Sequence, residues 1–170
     1  EGEVVEWLYQ GENETFEHSE STANEPALLD IGGTPGTQAP IVTLSAPLKD
    51  ADVRKLKAGD VVLLNGPIFT GRDAVHKYLY SGGDIDVLKN AVIYHCGPVV
   101  LEENGQYRVV AAGPTTSIRE EPYQAAVIER YGTKAVIGKG GMGPKTLEAC
   151  QRFGCVYLHA IGGAAQIYAQ

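Results

Sequence analysis

The sequence predicts an α/β fold, a mixed sheet flanked by helices, on three observations. After Pro40, short β-branched runs alternate with helical stretches, the order that builds layered α/β structure. Asn104-Gly105 stands between two such runs, and because both residues tolerate positive φ it marks an antiparallel hairpin. Residues 135–159 read strand, helix, strand, which favours a parallel crossover.

In chain order, the strand candidates are residues 41–44, 60–64, 91–95, 99–102, 107–112, 135–137 and 156–159. Helices are expected over 50–56, 72–80, 120–131 and 144–153. The last two are punctuated by residues suited to helix ends. Ser117 and Glu120 fit a capping box, Gly132 stops the helix that follows, Pro144 suits a first helical position, and Gly154 ends the last helix. No internal repeat is visible.

Residues 11–40 are acidic, polar and rich in Ser, Thr, Gly and Pro, with little to bury against the entropy of ordering. Residues 1–40 therefore read as an acidic linker or N-terminal arm, and 41–170 as the folded domain. The single tryptophan, Trp7, is expected to pack on its own domain or on a partner.

The 170 residues suffice for one domain with a core. No stretch approaches the roughly 18 apolar residues of a membrane-spanning helix, and no secretory signal is visible. The net charge of -7 is uneven. Residues 1–40 hold nine acids and no Lys or Arg, so in the remainder 14 bases outweigh 12 acids by two. Neither part has the dense basic patch that binding a phosphate backbone requires, so nucleic acid is not an expected partner. Three cysteines, an odd number, fit a reducing, cytoplasmic setting better than a disulfide scaffold.

Three strand-to-helix corners carry anion-binding chemistry. Gly138-Lys139-Gly140-Gly141-Met142-Gly143 has the outline of a dinucleotide fingerprint, but the ribose-binding acid about 20 residues further on is missing. Free amides and a helix dipole at Gly143, with Lys139, would still attract a small anion, unless the turn merely joins strand to helix. Gly113-Pro114-Thr115-Thr116-Ser117-Ile118-Arg119 offers three hydroxyls and a guanidinium, which can grip a carboxylate with two of its donors at once. At Thr70-Gly71-Arg72-Asp73-Ala74-Val75-His76, Arg72 and His76 lie four apart on one helical face. Alone, that stretch reads better as an Arg72–Asp73 surface ion pair on a capped helix. Arg72, Arg119 and Lys139 together suit a small di-acid rather than a nucleotide. Cys96, Cys150 and Cys155 read better as buried free thiols than as iron–sulfur ligands, and His95 and His159 as core histidines.

The stretches TGRDAVHK, YHCGPVV, AAGPTTSIR, GKGGMG and HAIGGAA, in this order, resemble the C-terminal (β) part of the class I, iron–sulfur-dependent fumarate hydratase and L(+)-tartrate dehydratase family. The resemblance covers roughly residues 41–170. It implies a swivelling β/β/α domain in a hydro-lyase that interconverts (S)-malate and fumarate, or L-tartrate and oxaloacetate. It also implies a [4Fe–4S] cluster held by a partner α domain or subunit and none by this chain, within a homo- or hetero-oligomer. Residues 1–40 then look like a connection from a preceding domain. By motif, Arg72, Arg119 and Lys139 would be substrate-carboxylate ligands and Thr115 the proton acceptor, with Thr116, Ser117 and Ile118 adding contacts. A non-catalytic dicarboxylate-binding or assembly module is the alternative from another class.

Overall fold

The computed structural model describes residues 41–169. The expected acidic arm lies outside them. The β-branched run that opens the described region forms β1 (Ile41–Ser45), and a short helix α1 (Asp50–Arg54) crosses to β2 (Val61–Asn65), parallel to β1 with Ile41 opposite Val61. Period-two alternation leaves one face of this pair exposed at Ile41, Val61 and Leu63. The other face, with Val42, Leu44, Val62 and Leu64, packs with Leu48 and Val53 against Val92, Ala135, Ile137, Val156 and Leu158.

Those last five residues belong to a second, four-stranded parallel sheet. Its strands are β3 (Phe69–Thr70), β4 (Val92–Tyr94), β7 (Ala135–Gly138) and β8 (Val156–His159), in that spatial order. A parallel sheet is normally covered on both faces, and β4 is buried along its whole length. The far cover is helical, built mainly by α3 (Glu121–Tyr131) and α4 (Pro144–Phe153), where Ile128 and Ala149 pack on Val136 and Cys155. Sheet on sheet on helix is the β/β/α layering expected of the chain.

The remaining strands, β5 (Val99–Glu103) and β6 (Gln106–Ala111), form the expected antiparallel hairpin, with Asn104 at φ 56 and Gly105 at φ 77. Parallel and antiparallel pairings both occur, but in separate sheets rather than in one mixed sheet. The expected strand and helix segments appear to within two residues at each end. β3 was not expected, because two residues are too few to leave a pattern. Gly132 and Gly154 end α3 and α4 in the left-handed conformation, and Pro144 opens α4 as expected. The capping box is corrected: Ser117–Glu120 is a separate 3-10 turn, and no side chain caps it.

Candidate functional site

The three corners meet at one edge of the four-stranded sheet, the carboxyl ends of its strands, where open parallel sheets present their ligand loops. Arg72 follows β3 and is the N-cap of α2 (Asp73–Tyr80), while the Gly71 amide donates to the Tyr94 carbonyl at 2.9 Å. His95, Cys96 and Gly97 continue β4, and the His95 amide donates to the Ile137 carbonyl at 2.8 Å. Residues 114–117 return from the hairpin and wedge between β4 and β7. Pro114 bridges Cys96, the Thr115 amide donates to the His95 carbonyl at 2.7 Å, Thr116 bridges Lys139, and the Ser117 amide donates to the Lys139 carbonyl at 3.0 Å. The backbones carrying Thr115–Ser117 and Lys139 are therefore locked side by side.

Arg72 is tied to the same corner by its stem. A Cβ on Gly97 would lie 2.8 Å from Arg72 Cδ, so the absence of a side chain there lets the arginine cross β4's end. Arg72 and Arg119, both exposed, each act electrostatically on Asp73 and Glu120. Lys139 and Thr115 are half-buried, and Thr116 and Ile118 are exposed. Among the described residues the Thr115 hydroxyl makes no hydrogen bond.

Ser117 behaves differently from its neighbours. Its hydroxyl is fully buried, 2.9 Å from His95 Nδ1, and accepts from the Tyr157 hydroxyl at 3.1 Å. A Cβ on Gly138 would lie 1.8 Å from that hydroxyl, so only glycine leaves it room. The Gln124 amide sits between two buried imidazoles, 3.0 Å from His76 Nε2 and 2.8 Å from His95 Nε2. Burial holds both histidines neutral, the His95 pKa falling to about 4. His76 thus points into the core and does not share a solvent face with Arg72, a correction to the four-residue spacing argument. His95 is the core histidine that was expected, whereas His159 is exposed.

The glycine-rich corner is also corrected. The helix N-terminus at Gly143 is already filled by the Glu121 carboxylate, which accepts from the amides of Gly143 at 2.8 Å, Lys145 at 3.0 Å and Thr146 at 3.3 Å, and from the Thr146 hydroxyl at 2.6 Å. No amide there is left for a phosphate or a small anion. Gly140 and Gly141, at φ 80 and 81, shape the loop around that internal contact.

The sequence assigned Glu120 only a place in a capping box, because its neighbours Glu121 and Arg119 make it look like one more surface charge. It is fully buried, with His76 Nδ1 3.6 Å away. Among the described residues no N–H or hydroxyl donor reaches either of its oxygens. Burial, then the adjacent Asp73 carboxylate, pushes its pKa up to about 8. The two acids divide one proton: Glu120 keeps it and donates to Asp73, whose pKa is lowered by that hydrogen bond.

Among the described residues no group of three or more His, Cys, Asp or Glu is arranged to hold a metal ion. All three cysteines are free, and burial pushes the Cys96 thiol up to about 11. No helix is long and apolar enough to cross a membrane among those residues.

A layered β/β/α domain with its polar loops gathered at the carboxyl edge of a parallel sheet is thereby defined. The chain belongs to the family described as Fumarase C-terminus, which it matches over residues 2–170, so the match extends through the acidic segment that the motif resemblance left out. A protein of Geobacillus stearothermophilus, provisionally named a class I fumarate hydratase, is 52% identical over 169 residues, which are 99% of this chain and 32% of that protein. The L(+)-tartrate dehydratase subunit beta of Escherichia coli K12 is 38% identical over 128 residues, covering 74% of this chain and 64% of the subunit. A Methanocaldococcus jannaschii protein, provisionally named as the same subunit, is 39% identical over 127 residues, 72% of this chain and 65% of its own. The chain thus spans about a third of the first relative and less than two thirds of the others.

Proposed function

We propose that this chain is the substrate-holding domain or β subunit of a class I fumarase, a hydro-lyase interconverting (S)-malate with fumarate and water, completed by a cluster-bearing α domain or subunit. The observation that carries this reading is the meeting of the Arg72, Arg119 and Lys139 loops at one sheet edge. Electrostatics support it. Three cations against the ionised carboxylates of Asp73 and Glu121, with Glu120 protonated and Glu121 already bound by the helix amides, leave the loops net positive, which suits an anionic dicarboxylate.

In this reading Arg72, Arg119 and Lys139 hold the carboxylates and fix the substrate in one pose, and Thr116 and Ile118 line it. Ser117 positions the loop from below through its bond to His95. Thr115 faces the reacting carbon as proton acceptor. A hydroxyl is too weak a base unaided, and among the described residues it makes no hydrogen bond that would activate it, so in this reading its activation comes from the partner domain. The chain alone is inactive.

Arg119→Ala in the assembled enzyme tests the proposal. Loss of a bidentate carboxylate contact is expected to lower kcat/KM by about 100-fold to 1000-fold with the fold intact. Near-normal turnover would overturn the assignment. The second reading, L(+)-tartrate dehydratase, needs the same clamp and is supported by two of the relatives' names. Malate and L-tartrate assayed side by side with the anaerobically reconstituted enzyme separate the two.

A further inference from the structure

We propose that Cys150 and Cys155 form a redox-reactive dithiol, a modification site that closes to an intrachain disulfide under a peroxide oxidant. The pair lies where α4 ends and β8 begins, at the amino edge of the parallel sheet, opposite the loops of the candidate substrate site.

Geometry brings the two thiols together. Gly154 turns left-handed at φ 70, and the Cys155 amide donates back to the Cys150 carbonyl at 3.0 Å. This six-residue closure of a helix end sets the side chains of its first and last residues against each other. Both cysteines line one groove of about 490 Å³ with Val53, Arg54 and Gln151, so an oxidant can reach them from solvent. Cys150 is half-buried, whereas Cys155 sits in the apolar cluster with Ile128, Val136 and Ala149.

Their chemistry is divided between them. Contact with Cys155 holds the Cys150 thiol below its ordinary value, while Cys155, whose thiol donates to the Val156 carbonyl at 3.7 Å, is pushed up by that contact and by burial. The last turn of a helix disfavours an anion, so the neighbouring thiol, not the helix, makes Cys150 the nucleophile. The Cys150 thiolate attacks the peroxide, breaking its O–O bond, forming an S–O bond and releasing water after protonation. Cys155 then attacks that sulfur, the S–S bond forms and a second water leaves with the Cys155 proton. Two thiols lose two electrons in total, and hydrogen peroxide gains them.

The test uses the full-length protein with its partner domain, treated with hydrogen peroxide, alkylated and read by peptide mass spectrometry rather than by activity. The expected product is a peptide pair joined through Cys150 and Cys155, lighter by two hydrogens and restored by dithiothreitol, with Cys96 still alkylated. In Cys155→Ser, Cys150 is expected to stop at a sulfenic acid that dimedone traps. Cys150 recovered as a thiol, as a sulfinic acid or in an intermolecular disulfide, with Cys155 still free, overturns the proposal. The wild-type product is read directly, so the outcome does not depend on the variant folding.

Discussion

Replacing Glu120 by Gln separates the proton on this buried carboxyl from its shape. Gln keeps the size and can donate an amide hydrogen to Asp73, but it cannot ionise. In the wild type the folded carboxyl titrates at about 8 and the unfolded one near 4.5. Between those values the folded state holds a proton that the unfolded state has released, so stability falls as pH rises through that window. Each fully expressed pH unit is worth about 1.4 kcal/mol, which gives a loss of about 2–3 kcal/mol from pH 5.5 to pH 7.5. His76 and His95 act in the opposite direction, because their lowered values add stability as pH rises through the ordinary histidine range. Their contribution is common to both proteins. The quantity to measure is therefore the difference in urea-unfolding free energy between Glu120→Gln and wild type, taken at half-unit steps. It should grow in favour of Gln by about 2–3 kcal/mol across those two pH units. Parallel pH profiles would show that Glu120 is ionised in the folded protein and sink the argument.

Two further substitutions test the architecture. Gly138→Ala places a methyl 1.8 Å from the Ser117 hydroxyl, so Ser117 must leave His95, and a cost of about 3 kcal/mol is expected by chemical denaturation. Glu121→Ala strips the α4 N-terminus of its internal anion at a cost of about 1–2 kcal/mol, and added sulfate should then raise the variant's Tm more than the wild type's.

Local signals were legible in the sequence where the cause of the structure is itself local. Asn104-Gly105 specified the hairpin because both residues take positive φ, and Pro144 and Gly154 marked the two ends of α4. The candidate loops were legible for the same reason, since each lies between a strand and a helix. What the sequence hid depends on partners far along the chain. Ser117 looks like a helix cap until His95, 22 residues back, takes its hydroxyl. The Gly143 amides look free until Glu121, 22 residues back, fills them. The two-stranded layer β1–β2 could not be told from an extension of the main sheet, because both orders of pairing share one hydrophobic pattern.

Glu120 joins these threads. Had it been ionised, the loops would hold one more carboxylate against their three cations, and that internal acid would compete with any substrate for the arginines. Burying it beside the exposed Asp73 prevents this, since burial and the adjacent carboxylate both disfavour its charged form and the deeper of the two acids keeps the proton. The cost falls on stability at neutral pH, as the folded state must hold a proton that water would otherwise take. The proposed clamp and the predicted pH profile are thus two consequences of one buried acid, and that acid sits directly after Arg119 in the chain. The backbone turn that buries the carboxyl leaves the guanidinium next to it exposed, so the sequence order Arg-Glu, read through the 3-10 geometry of Ser117–Glu120, sends one charge outward and neutralises the other.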